Sequence, residues 1–165
     1  MAWTVWAHNW ESGELSNTTL YQPFRMNSDT ILKGVRTWIV VFNNPTFTEL
    51  NCKIYSDEVR TISGTYTDHT PVKLLHTSTD VRTKAELCTL NYGVKETYFT
   101  FAEVPLQADT WYNLVINGTG YSPTSSSYLS WMHSYPDPVL ASSYTAAVET
   151  INSSPFAIYF IGGTY

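Results

Sequence analysis

The sequence predicts an all-β protein, a sandwich or barrel of about eight to ten strands. Three observations carry this. Charged residues make up only 14% of the chain, against the ~25% of an average soluble domain. Aromatics reach 15%, with 6 Trp, 12 Tyr and 7 Phe. Short runs of β-branched and aromatic residues recur between turn signals, the composition that suits a pleated, half-buried surface. The same numbers exclude disorder, which needs few aromatics and many charges. They also exclude a coiled coil or helical bundle, which needs Ala, Glu, Lys, Leu and Arg in bulk. At 165 residues the chain is one domain with room for a real core. We divide it into an N-terminal arm or first strand, residues 1–19, and a β-sandwich, residues 20–165.

Each element has its own signal. Leu20 to Met26 alternates around Pro23, which places it at a sheet edge because proline donates nothing to a ladder. Val35 to Phe42 is the strongest strand, and Asn43-Asn44-Pro45 ends it as a turn. In the next strand Leu50, Cys52 and Ile54 share one face, with Asn51 and Lys53 on the other. Ser63-Gly64 reads as a turn and Val72 to Leu75 as a short strand. Thr97 to Phe101 sets Phe99 and Phe101 against Tyr98 and Thr100. Trp111 to Ile116 sets Tyr112, Leu114 and Ile116 on one side and closes at Asn117-Gly118, a strong turn dipeptide. Ser122 to Ser127 is a loop. Tyr128 to Met132 and Phe156 to Ile161 complete the strands, the last ended by Gly162-Gly163. Two short helices are candidates: Asp80 to Leu90, with a capping-box pattern at Thr83-Lys84-Ala85-Glu86, and Ala141 to Thr150.

The formal charge is −5. The nine basic residues form no cluster of the kind a phosphate-tracking groove needs, so nucleic acid is not an expected partner. No 18-residue apolar run marks a membrane span. Met1 to Trp6 lacks the basic and apolar regions of a signal peptide, so synthesis in a cytosol is expected. Cys52 and Cys88 are too few for a zinc motif or a disulfide framework, and both read as reduced, buried thiols.

A longer pattern accumulates along the chain. Gln22-Pro23-Phe24-Arg25-Met26 precedes Leu32-Lys33-Gly34-Val35-Arg36-Thr37-Trp38-Ile39, then Asn44-Pro45 and Leu50-Asn51-Cys52-Lys53-Ile54-Tyr55. After a variable stretch come Tyr98-Phe99-Thr100-Phe101 and the run Pro105-Leu106-Gln107-Ala108-Asp109-Thr110-Trp111-Tyr112-Asn113-Leu114-Val115-Ile116. Tyr128-Leu129-Ser130-Trp131 and Pro155-Phe156-Ala157-Ile158-Tyr159-Phe160 close it. This order resembles the galactose-binding-like jelly-roll domains, related to carbohydrate-binding modules and recurrent in secreted bacterial proteins and bacteriophage virion proteins. The resemblance covers roughly residues 20 to 162. It implies an antiparallel jelly-roll of two sheets and leaves the ligand open, because one sandwich hosts many functions. Relatives usually carry Gly where this chain has Asp109, a turn position where Asp tolerates the left-handed conformation.

No nucleophile elbow, zinc-protease helix, Cys-x-x-Cys or P-loop occurs. Asp68-His69 and His76 fall short of the three supported ligands of a catalytic zinc, so no metal or cofactor is expected. The carboxylates Asp57, Glu58, Glu96, Glu103 and Asp109 are the candidates for the pair glycoside hydrolysis requires, but their sequence spacing does not bring two of them together and Asp57-Glu58 reads as solvating the loop after a strand. Two non-enzymatic functions remain. Excess apolar surface favours the first: Trp38 and Phe42 lie on the nominally outer face of their strand, and Trp3, Trp6 and Trp10 crowd the arm. These five are interface candidates, with the arm pairing on its own sheet or on a neighbour. The implied protein is a bacteriophage virion component, a capsid decoration or tail-associated module made in the host cytoplasm. Its expected partners are other virion proteins and further copies of itself. The alternative is a glycan-binding module that uses Tyr121, Tyr128, Trp131, Tyr135 and Tyr144 as stacking platforms, for instance on a host glycan.

Overall fold

Alternating apolar positions along this chain demand a buried face on each strand, and the structure supplies it by packing two antiparallel sheets. The computed structural model describes residues 2–5, 21–26, 28–62, 66–124, 126–135, 148–149 and 158–164. Its strands are β1 (Ala2–Val5), β2 (Tyr21–Met26), β3 (Thr30–Phe42), β4 (Glu49–Ile62), β5 (Tyr66–Thr77), β6 (Arg82–Thr83), β7 (Tyr92–Leu106), β8 (Trp111–Thr119), β9 (Tyr128–Tyr135), β10 (Val148–Glu149) and β11 (Ile158–Thr164). One helical turn, α1 (Lys84–Leu87), precedes β7. Among the described residues no helix is long and apolar enough to cross a membrane.

The first sheet is built around β3. β7 pairs along one side of it, from Thr30 opposite Leu106 to Phe42 opposite Tyr92. β11 and β9 divide the other side, β11 along Thr30–Thr37 and β9 along Ile39–Phe42. β1 pairs outside β9, with Ala2 opposite Tyr135 and Val5 opposite Met132. The second sheet runs β10-β2-β8-β4-β5, with β6 beside the start of β4. β4 and β5 pair as far as Ile62 opposite Tyr66, whereas β8 leaves β4 at Ser56, so the far half of this hairpin projects past β8.

The facing surfaces form one core. Val35, Ile39 and Val41 of β3, Phe99 and Phe101 of β7 and Leu129 and Trp131 of β9 meet Phe24 and Met26 of β2, Leu50, Cys52 and Ile54 of β4, and Tyr112, Leu114 and Ile116 of β8. Trp131 and Tyr121 keep their polar atoms paired inside it, as burial requires. The Trp131 indole N–H donates to the Thr37 hydroxyl, and the Tyr121 hydroxyl accepts from the Leu129 N–H at 2.9 Å. Burial pushes the Cys52 thiol well above its ordinary pKa, with Asp80 adding to the effect. Cys52 and Cys88 are free thiols; Cys52 is buried as expected, whereas Cys88 is only partly buried at the edge of the core.

Turns follow side-chain chemistry closely. Asn43 and Asn44 both take positive φ, 52° and 51°, which Asn tolerates best among residues with a side chain. Asp109 does the same at φ 54°, in the turn before β8. Pro23 lies opposite Asn113 of β8; on its other side β10 reaches only Met26 and Arg25. The capping box at α1 is present, with the Thr83 hydroxyl accepting from the Glu86 N–H and the Glu86 carboxylate accepting from the Thr83 N–H.

Three local expectations are corrected. Asn117-Gly118 does not end β8: both residues stay in the ladder opposite Asn51 and Leu50, and the chain turns at Gly120, φ 64°. Continued pairing with β4 outweighs the local turn preference. Gly162-Gly163 does not end β11 either; the register shifts between Ile161 and Gly162 and pairing resumes to Thr164. Glycine here accommodates a bulge, one of its ordinary uses within strands. Of the second helical candidate, Val148–Glu149 is strand, and residues 141–147 lie outside the described residues. The Ser63-Gly64 turn lies outside them as well.

Candidate functional site: the outward face of the first sheet

Directly opposed residues of an antiparallel pair share a face, so the register of β7, β3 and β9 fixes what the outward surface carries. Across its end runs a row of aromatics: Tyr92 of β7, Phe42 of β3 and Tyr128 of β9. The Phe42 and Tyr128 rings stack at 4.5 Å, and Tyr92 meets Phe42 edge-on at 5.1 Å. Both geometries are favoured by the ring quadrupoles. The next row is Val94, Val40 and Ser130, of which Val94 is exposed while Val40 and Ser130 are fully buried, so the face is covered at its centre. Beyond it Glu96 lies opposite Trp38, and Tyr98 opposite Arg36.

Arg36 organises this second half. Its guanidinium lies 5.2 Å from the Trp38 ring centre and 6.0 Å from that of Tyr98, within cation–π range. It also pairs with the Glu96 carboxylate at 3.3 Å, which accepts the Tyr98 hydroxyl as well. An exposed pair of this kind contributes only ~0–1 kcal/mol to stability. Its main effect is to hold the Trp38 and Tyr98 rings in fixed orientation. Tyr92 is 61% exposed, Val94 46% and Tyr98 45%. With Tyr92 and Tyr98 exposed and Trp38, Phe42 and Tyr128 half-buried beside them, this face can bind a complementary apolar surface or a sugar face.

The structure sorts the sequence candidates. Trp38 and Phe42 join this face, and so does Tyr128, nominated for a different function. Tyr121 and Trp131 are corrected as stacking platforms: both are buried in the core with their polar atoms satisfied from within, so neither offers a ring to a sugar. Trp131 points inward because it lies opposite Ile39, on the core side of β3. Trp3 sits in β1 opposite Ser134, and Tyr135 in β9 opposite Ala2. Trp6, Trp10 and Tyr144 lie outside the described residues. Sequence reasoning passed over Tyr92 and Val94. The alternation Tyr92, Val94, Glu96, Tyr98 was the available signal, but the partnership with Phe42 depends on a register the sequence does not state. Among the described residues no group of three or more His, Cys, Asp or Glu converges as a metal site.

No family model matches the chain, and no curated protein or solved structure matches it.

Proposed function

We propose that this chain is a non-enzymatic virion structural protein of a bacteriophage, a capsid decoration or tail-associated module on a jelly-roll sandwich, acting by protein–protein contact. The observation that carries the contact is the outward face of β7, β3 and β9. Monomeric proteins rarely display large contiguous apolar patches, and Trp, Tyr and Arg dominate interface hot spots. Trp38, Tyr98 and Arg36 supply all three types in one cluster. The virion setting rests on the resemblance to galactose-binding-like domains. The formal charge of −5 suits a protein partner better than nucleic acid.

Exposed Tyr92 against the half-buried Phe42–Tyr128 stack favours a second reading, a glycan platform, because flat aromatic rings also bind the apolar faces of sugars. One set of observations separates the two. The virion reading expects capsid and tail genes beside the gene for this chain, and binding of the purified chain to the corresponding particle. That binding should fall at least tenfold in a Trp38→Ala/Tyr98→Ala variant whose melting temperature stays near that of the parent. A glycan-array signal that disappears in Tyr128→Ala, with no affinity for any particle, would replace the virion reading with the second.

A further inference from the structure

An exposed strand edge is a template for another strand, and proteins that stay monomeric close such edges with charges, bulges or proline. β7 is the outermost described strand on its side of the first sheet, and it closes only part of its edge. Arg82 Nε donates to the Tyr98 carbonyl at 2.7 Å, the Thr79 N–H donates to the Thr100 carbonyl at 2.7 Å, and the Thr100 N–H donates to the Asp80 carboxylate at 2.8 Å. Further along, Glu103 breaks the strand geometry at φ 49° and Pro105 offers no N–H. These contacts also give the edge its phase. Backbone groups of Tyr98 and Thr100 point away from β3, and alternate residues of an antiparallel strand point the same way. Tyr92, Val94 and Glu96 therefore present their N–H and C=O groups on the same edge, and among the described residues nothing takes them.

We propose that this open stretch pairs with the same stretch of a second copy, antiparallel, about a twofold axis at Val94. That register uses all three open residues. It sets Val94 against Val94, Tyr92 against Glu96 of the second copy, and Gly93 against Lys95 of the second copy. Tyr98 already donates to Glu96 within the chain, so a second phenol from the partner strand extends existing chemistry. Gly93 leaves its side of the strand open, since a Cβ there would meet only Leu90 Cδ1 at 3.8 Å. In the proposed pair the aliphatic stem of Lys95 from the second copy crosses that space onto Leu90, which is 65% exposed. Centring the pair on Lys95 would oppose two ammonium groups, centring it on Glu96 would oppose two carboxylates, and centring it on Gly93 would strand Glu96 beyond the ladder. The occupant is thus chosen by charge and register. β5, the outer strand of the other sheet, is a poorer candidate because Pro71 and two register shifts interrupt it. The inference is independent of the virion reading: the dimer forms whichever particle or glycan the chain serves.

The test is the solution mass of the full chain by light scattering across concentration, with amide hydrogen exchange. The parent should approach twice 18.7 kDa, and exchange at Tyr92, Val94 and Glu96 should slow as concentration rises. Val94→Lys and Val94→Glu, each at a solvent-facing position of the free monomer, should each run at monomer mass, and mixing them should restore the dimer. Leu74→Lys on β5 should leave the dimer intact. A parent that is monomeric at every concentration, or a dimer that survives Val94→Lys, overturns the proposal. If either charged variant fails to fold, exchange at the three amides of the parent still decides: no slowing on concentration overturns it.

Discussion

At the scale of single residues, the molecule accepts local strain or desolvation where a side chain can absorb it. Asn43, Asn44 and Asp109 occupy left-handed backbone that most side chains resist. Thr37 is buried, yet its hydroxyl is matched to the Trp131 indole. His76 is a less comfortable case. It lies half-buried on β5 opposite Ile54, and burial holds its imidazole below the ordinary value of 6.5. The folded state therefore resists protonation more than the unfolded chain does. On falling pH the unfolded state takes up its proton first, so stability is full above the ordinary value and declines as pH drops through it. We expect the melting temperature of the parent to fall between pH 7 and about pH 5, part of the way through this group. In His76→Gln that fall should be shallower. Parallel melting curves for the two proteins, with the same slope over this window, would remove His76 as a contributor.

At the scale of elements, a strand is shaped by what lies beside it as much as by its own sequence. The clearest instance is the crossing of β3 and β7 at Gly34. The register shifts between Leu32 and Gly34, and the two backbones come so close that a Cβ on Gly34 would meet the Phe99 carbonyl oxygen at 3.0 Å. Backbone cannot swing away as a flexible side chain can. Gly34→Ala should therefore cost about 1–3 kcal/mol, the usual range for overpacking, read as a lower urea midpoint. Gly93→Ala, on the same sheet with open space at its Cβ, should stay within ~1 kcal/mol of the parent. Equal midpoints for Gly34→Ala and the parent would mean that the strands separate at no cost. The same reasoning explains what the sequence disclosed. Alternation revealed the inward sides of β3, β4, β7 and β8, because burial imposes it directly. The capping box marked α1 because its bonds are local. The extension of β8 through Asn117-Gly118 and the passage of β11 through Gly162-Gly163 were hidden, since both are decided by a neighbouring ladder. The aromatic row was half legible for the same reason: Phe42 and Tyr128 could be named, but their stacking with Tyr92 needs the register of three strands.

At the scale of the whole molecule, the first sheet ends, among the described residues, in β7 on one side of β3 and in β1 and β11 on the other, and the chain treats β7 and β1 differently. On one side β7 is closed beyond Tyr98 and open before it. On the other, β1 lies along β9, so residues 2–5 of the N-terminal arm, expected to pair either with its own sheet or with a neighbour, pair with their own sheet, while residues 6–19 lie outside the described residues. The energetics of that contact are finely balanced. Ordering backbone costs ~1–2 kcal/mol per residue, while each backbone hydrogen bond returns only ~0.5–1.5 kcal/mol. A strand as short as Ala2–Val5 therefore adds little net stability through its backbone, and its larger effect is to cover the β9 edge. Deleting residues 1–5 should leave the two sheets folded, with a β-type circular dichroism spectrum and a loss of no more than about 2 kcal/mol by the same balance. It should also expose Met132 to Tyr135 as a free edge, and free edges recruit strands from other molecules. The deletion protein should therefore form species larger than the parent, growing with concentration, even when Val94→Lys is introduced to silence the β7 edge. A deletion protein that keeps the mass distribution of the parent, alone and with Val94→Lys, would show that covering β9 is not the role of β1. A deletion protein that fails to fold would show instead that the arm belongs to the sandwich itself.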